Sequence, residues 1–394
     1  MDQPLTINPI VKNMAPDKLL GFQKEISQIP DVLKLTFGEP GFNVADSIKQ
    51  AAIKAIEANR SHYAESQGEA PLRQAVVDYF NQRYHLNYQS RDQVIITSGV
   101  TEAINVIFQT LLAPGDGLLV PEPAYGPYFS SLDLAHGVCI SVDTTIHEFK
   151  LTPAQVEAAI EHSEVPVKAI LLNYPNNPTG MTYNRTELEA LAQVFKKHHI
   201  WVISDEIYSE LTYQGQHVSM AELLPEQTIL LNGLSKSHAM TGYRVGFILG
   251  PEDTISEMQK VHGALAFAIP TFIQDAAQMA MVEDDDRINM MKATYQKRRD
   301  YMVEILEGLG FTIAKPAGAF YIFAKLPVDL GTDGHQFALN MAQVAKVAVI
   351  PGECFGGLPS SQAYIRLSYA ASDEDVKAGL TRISQYVTAL RVNG

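Results

Sequence analysis

Short apolar runs recur through the middle of this chain, and most of them end at a polar residue able to do chemistry. Val94-Ile95-Ile96 leads to Ser98-Gly99, and Ala169-Ile170-Leu171-Leu172 enters the Pro-rich turn Tyr174 to Gly180. Trp201-Val202-Ile203 ends at Ser204-Asp205. Thr228 to Leu231 precedes Lys236, and Val245 to Leu249 follows Arg244; Leu118-Leu119-Val120 is a further run, closed by Pro121. Strands this continuously apolar are buried on both faces, as in a parallel sheet covered by helices. The intervening segments have helical spacing: Ile104, Ile107, Phe108 and Leu111 fall on one face, and Thr186 to His198 is amphipathic. The pattern predicts an α/β fold with a mostly parallel sheet. In such sheets ligands gather outside the carboxyl ends of the strands. Ser98, Asn177, Asp205 and Lys236 all fall just after an apolar run, so they are expected to share one site.

Past the sheet region the pattern changes. A long, charged helix is expected from about Asp284 to Tyr301. Strand-like stretches follow at Phe311-Thr312-Ile313, Ala319 to Phe323, Val347 to Ile350 and Ala363 to Leu367, which suits a smaller α+β unit. The expected division is an N-terminal arm with part of the small domain at 1–40, a large domain at 41–285 and a C-terminal small domain at 286–394. The acidic run Glu283 to Asp286 reads as a solvated helix start.

The net charge of −14 from 30 basic and 44 acidic residues argues against nucleic acid or an anionic membrane as partner. No uncharged apolar run reaches the length of a membrane span, and the N-terminus lacks the pattern of a signal peptide. Cys139 and Cys354 are the only cysteines, so neither a disulfide framework nor a zinc cluster is expected, and no metal site. A cytoplasmic protein with reduced thiols is the expectation.

The chemistry centres on Asn232-Gly233-Leu234-Ser235-Lys236-Ser237-His238-Ala239-Met240-Thr241-Gly242-Tyr243-Arg244. Burial and a nearby fixed cation both make a lysine amine easier to deprotonate. Such an amine forms a Schiff base with a carbonyl cofactor. Hydroxyls and an arginine around it suit a phosphate. A surface lysine beside a turn is the plain alternative for Lys236 alone. Asp205 alone reads as a helix cap, Asn177 as an Asn-Pro turn, Tyr208 as a half-buried core tyrosine and Ser98-Gly99 as an ordinary cap.

Together, Asn176-Asn177-Pro178-Thr179-Gly180, Ser204-Asp205-Glu206-Ile207-Tyr208 and the lysine run resemble the pyridoxal-phosphate-dependent class I aminotransferases of fold type I. The resemblance spans Gly38 to Arg366. It is similar in particular to the bacterial branch holding aromatic and N-acetyl-LL-diaminopimelate aminotransferases. The implied architecture is a large domain with a mostly parallel seven-stranded sheet plus a smaller α+β domain.

The resemblance implies a role for each residue. Lys236 would carry the cofactor and shuttle a proton, and Asp205 would pair with the ring nitrogen. Tyr208 and Asn177 would bond its phenolic oxygen. Val100 and Thr101, at a helix N-terminus, would meet the phosphate with Ser235 and Arg244. Tyr125 would stack on the ring. Arg366, an arginine inside an apolar strand, would grip the substrate carboxylate, helped by the Gly38 backbone N–H. Tyr63 would be contributed by the second subunit of a homodimer. Many relatives have a serine three residues before the lysine. This chain has Gly233, so the hydroxyl contact to the phosphate is either missing or supplied by Thr101 or Ser237. Cis bonds are expected before Pro123 and Pro178.

An amino acid and a 2-oxo acid are the implied small-molecule partners, with glutamate and 2-oxoglutarate as the shared pair. Val261 to Ile269 and the N-terminal arm are expected to line the side-chain pocket with Phe267, His262 and Phe22. They offer no second arginine for an ω-carboxylate, which favours an aromatic or other large substrate. N-acetyl-LL-2,6-diaminopimelate and a carbon–sulfur β-lyase reaction remain open as alternatives.

Overall fold

A computed structural model of the chain describes residues 5–89, 91–282 and 285–393. They form a seven-stranded sheet in the order Val94–Ser98, Val245–Leu249, Thr228–Gly233, Trp201–Asp205, Val167–Asn173, Gly117–Glu122 and Val138–Asp143. Neighbours are parallel except Val245–Leu249, which runs against both of its partners. That reversal matters for the site. It brings the start of this strand, with Arg244, to the edge where the parallel strands end.

The apolar runs are explained by burial on both faces. Ile95, Ile248, Ile229 and Leu231 pack against the helix Gly99–Leu111 through Ile104, Ile107 and Phe108. The alternating residues Val94, Ile96, Phe247, Leu249 and Leu230 face the other layer, where they meet Val76, Phe80, Ala276 and Ala280. Side chains that alternate along a strand require apolar residues at every position when both faces are covered. Outside the sheet, helix Arg185–His198 buries Leu188, Leu191 and Phe195. Its start is fixed by a capping box in which Asn184 and Glu187 bond each other's backbone N–H, each within 2.9 Å.

The second unit holds an antiparallel sheet of Ile350–Pro351, Tyr364–Ser368, Tyr321–Lys325 and Thr312–Ile313. The N-terminal strand Leu33–Lys34 pairs in parallel with Val347–Ala348. Phe22, Ile26 and Leu35 are buried in the same core as Phe323, Leu367 and Val387. Two strand expectations shift. The expected strand at Ala319 starts at Tyr321, because Ala319 has φ +56, outside extended geometry. The expected strand Val347 to Ile350 is split, since its two halves pair with different sheets.

The charged helix runs from Asp286 to Gly308, longer than expected. Of the acidic run before it, Glu283 and Asp284 lie outside the described residues. Asp285 is more than a solvated start, because it takes Arg83 Nη1 at 2.8 Å. No helix among the described residues is long and apolar enough to cross a membrane.

Candidate active site

A cleft of about 640 Å³ opens at the carboxyl edge of the large sheet, between the two units. The expected residues Gly38, Val100, Thr101, Tyr125, Asn177, Asp205, Tyr208, Ser235, Lys236, Arg244 and Arg366 all line it. They come from segments more than 300 residues apart: Asn177, Asp205 and Lys236 lie where strands of the large sheet end, while Arg366 comes from within a strand of the smaller sheet.

Lys236 lies in the single helical turn Leu234–Ser237 that follows strand Thr228–Gly233. Its amine donates to the Gly38 carbonyl and stands 5.9 Å from the ring centroids of Tyr208 and Phe320. The side chain keeps some surface open to the cleft but is densely enclosed. This burial brings the amine down to about 8; Glu39 opposes the shift, while Arg244 and Arg366 reinforce it.

Asp205 ends its strand fully enclosed. Burial raises its carboxyl to about 6, against the hydrogen bonds it accepts. Tyr128 Oη donates to Oδ2 at 2.6 Å and Ile207 N to Oδ1 at 3.1 Å. The backbone bond and the Tyr128 bond therefore use different oxygens of one carboxylate. Asn173 braces the adjacent loop: its amide donates to the Asp205 carbonyl at 3.0 Å and its oxygen accepts from Asn177 N at 2.9 Å. Tyr208 and Tyr321 share a hydroxyl–hydroxyl bond of 2.8 Å. Tyr125 stands edge to face with Tyr128, centroids 5.4 Å apart.

Arg366 is buried inside strand Tyr364–Ser368. Nη1 donates to Asn177 Oδ1 and Nη2 to the Thr36 carbonyl, each at 2.9 Å. Its guanidinium lies 4.4 Å from the Tyr321 ring centroid and 4.9 Å from that of Phe355. Its Nε is buried and has no hydrogen-bond partner among the described residues. Burial pulls the guanidinium below its usual range. A cation so enclosed, with neutral partners on two nitrogens, is built to take an anion.

The other end of the cleft is a second anion cradle. Helix Gly99–Leu111 points its free N–H groups at Val100 and Thr101 into the cleft. Gly99, at φ +75, lets the Arg244 guanidinium lie directly on it: a Cβ there would sit 2.5 Å from Nη2. Gly246 likewise has no room for a side chain against Gly99 and Val100. Behind the cradle, Glu102 accepts from Ser98 N at 2.5 Å and from His262 Nδ1 at 2.6 Å.

Several expectations need correction. His262 is wholly buried, bonding Glu102 and, at 2.8 Å, the Ser66 carbonyl; it braces the cradle and does not line the cleft. Phe22 turns into the small-unit core, while Leu19, Gln23 and Ile26 of the same helix face the cleft. Phe267 lies outside the cleft, edge to face with Tyr63 at 5.1 Å. Tyr63 itself is 90% exposed and outside its own chain's cleft. Gly233 cannot be a serine in this backbone, because a Cβ would meet the Val245 carbonyl at 2.6 Å. Of the two substitutes for that hydroxyl, Thr101 lines the cleft. Ser237 is buried away from it against His238 Nδ1 at 2.8 Å. Cis bonds occur before Pro123 and Pro178 as expected, and also before Pro175.

Tyr128, Tyr321 and Asn173 were not foreseen as site residues. Tyr128 lies three residues past Tyr125, but nothing local in the sequence shows that its hydroxyl reaches Asp205.

A family profile described as aminotransferase class I and II matches residues 30–383. A probable N-acetyl-LL-diaminopimelate aminotransferase of Bacillus subtilis (strain 168) is 38% identical over 98% of this chain and 96% of its own. Among solved structures, a double mutant of the Thermus thermophilus aspartate aminotransferase superposes with TM-score 0.91 at 32% identity, covering 97% of this chain and all of that one. An aromatic aminotransferase from Pyrococcus horikoshii OT3 gives 0.87 at 30%, covering 94% and 99%. With this coverage, and a cleft lined by a lysine, a buried aspartate and two arginines, the chain belongs to the class I and II aminotransferases, a pyridoxal-phosphate-dependent family of fold type I.

Proposed function

We propose that this aminotransferase moves the amino group of a large L-amino acid, aromatic or long aliphatic, to a 2-oxo acid, with 2-oxoglutarate as the shared acceptor. The observation that carries the reading is the cleft wall. Leu19, Ile26 and Phe37 line it beside Arg366, giving an apolar surface next to a carboxylate anchor. A solved relative is named an aromatic aminotransferase.

The residues present fit pyridoxal phosphate. Arg244, Ser235 and the first-turn N–H groups of Val100 and Thr101 would hold its phosphate. Asp205 would hold its ring nitrogen protonated, Asn177 and Tyr208 would bond its phenolic oxygen, and Tyr125 would pack on its face. When bound, the group supplies the carbonyl and the electron sink that make an α-hydrogen removable. Arg366 binds the substrate carboxylate in a bidentate fork, with Gly38 beside it, and so fixes the α-carbon near Lys236. The Lys236 amine takes the proton from that carbon. With its proton affinity lowered to about 8, a useful fraction is neutral at physiological pH.

Tyr63 is proposed to complete the site of a partner subunit in a homodimer. Its 90% exposure beside the half-exposed Phe267 leaves an aromatic pair open to solvent. We take 1–40 as an N-terminal arm and part of the small domain, 41–285 as the large domain and 286–394 as the C-terminal small domain, since Phe22, Ile26 and Leu35 share the small-unit core. A cytoplasmic setting suits its two unpaired thiols.

N-acetyl-LL-2,6-diaminopimelate is the second reading, favoured by the name of the 38% identical relative. The test is a panel of amino donors with 2-oxoglutarate, followed by glutamate formation and cofactor absorbance. Aromatic and long aliphatic donors should lead in kcat/KM. A lead by the N-acetylated diamino acid would select the second reading. Release of pyruvate and ammonia from cystathionine, with little amino transfer to any acceptor, would replace both by a β-lyase.

A further inference from the structure

An enzyme of this class must house two different side chains in one pocket, one in each half of its cycle. An apolar wall alone would reject a distal carboxylate, because burying an unpaired charge is costly. The N-terminal segment supplies more than an apolar wall. Leu19, Gln23 and Ile26 line the cleft from helix Lys18–Ile26 at one-face spacing. Lys34 lines it too, from the strand Leu33–Lys34. Leu35 is buried on the opposite side of this extended stretch, leaving Lys34 exposed. Two residues past Lys34, the Thr36 carbonyl accepts from Arg366 Nη2 at 2.9 Å. Two extended residues span roughly 7 Å, so Lys34 is rooted about one side-chain length from the carboxylate anchor. Among the described residues, the Lys34 ammonium and the Gln23 amide have no hydrogen-bond or ion-pair partner. Glu39, an acid of the same stretch that also lines the cleft, already accepts from Thr241 Oγ1 at 3.0 Å.

We propose that Lys34, together with Gln23, reads the distal carboxylate of acidic substrates such as 2-oxoglutarate, while Leu19 and Ile26 receive the apolar side chains of the other half-reaction. The inference rests on Arg366 holding the α-carboxylate, as proposed above. It places a cation for the distal carboxylate on the N-terminal arm of the same chain.

The test compares holoenzyme of the parent, Lys34→Met and Lys34→Arg. The two acceptors are 2-oxoglutarate and 5-methyl-2-oxohexanoate, which carries an isopropyl group in place of the distal carboxylate. Methionine keeps the apolar stem and removes the charge. The ratio of kcat/KM for the acid over the apolar acceptor should fall about tenfold in Lys34→Met, roughly 1.4 kcal/mol. The loss should sit in KM, and Lys34→Arg should restore most of it. A ratio within about twofold of the parent would overturn the proposal, as would an equal loss on both acceptors. Arg366→Lys separates the underlying reading: if it spares both acceptors, the α-carboxylate assignment fails rather than that of Lys34.

Discussion

Arg366 Nη1 donates to Asn177 Oδ1 at 2.9 Å, tying the arginine proposed to hold the substrate to the asparagine proposed to hold the cofactor. The two lie 189 residues apart, and both are buried. A buried guanidinium depends on each of its few partners. Asn177→Ala should therefore raise KM for the amino acid as well as weaken cofactor binding. A double-mutant cycle of Asn177→Ala and Arg366→Lys, read in kcat/KM, should give a coupling of about 1 kcal/mol or more. Strict additivity would show that the bond does not matter to substrate binding.

Asp205→Asn should separate catalysis from stability. Its carboxyl lies at about 6 in the folded chain, raised from 3.8 by burial. A raised carboxyl stabilises the fold below about pH 4, and that contribution is lost as pH rises through about 6. Above pH 6 the ionised group costs the cofactor-free protein up to roughly 3 kcal/mol. The Asn variant, neutral throughout, should be the more stable cofactor-free protein at pH 7.5, with the difference closing toward pH 4.5. Urea melts at both pH values check this. Its turnover should fall more than tenfold, about 1.4 kcal/mol or more. Turnover within tenfold of the parent would assign the ring nitrogen to another residue.

Gly99→Ala should weaken cofactor binding more than it weakens the fold. The new Cβ would collide with the Arg244 guanidinium, in a backbone conformation alanine tolerates poorly. A tenfold or larger rise in the cofactor Kd, measured by fluorescence titration of the cofactor-free protein, is expected. An unchanged Kd would remove Arg244 from the phosphate site.

Most of the site was legible because it lies where strands end. Ser98, Asp205 and Lys236 each follow an apolar run, and a doubly covered parallel sheet brings such ends to one edge. Arg244 was placed by the family pattern, but the geometry depends on a strand reversal that no local signal marks. Tyr128 was missed because its hydroxyl bridges to Asp205 across 77 residues. His262 and Phe22 were misplaced for a related reason. A ring beside a cleft-lining helix faces either the cleft or the core, and neighbours far in sequence decide which. The split of Val347 to Ile350 between two sheets has the same origin.

Mixing Lys236→Ala chains with Tyr63→Ala chains should restore activity, provided each variant alone is strongly impaired. A mixed dimer holds one site with both lesions and one with neither. Activity should rise after subunit exchange toward one intact site per heterodimer. Verified exchange with no recovery would place Tyr63 outside the partner's site.

The most direct measurement is multi-turnover amino transfer by Lys236→Ala, with cofactor binding checked by equilibrium dialysis. Lys236 is a cleft-lining amine whose proton affinity burial has brought down to about 8. The variant should keep its fold and still bind the cofactor through the phosphate cradle, yet show no turnover above background. Sustained turnover by Lys236→Ala, within about a hundredfold of the parent or roughly 2.7 kcal/mol, would contradict the assignment of Lys236 as the proton carrier.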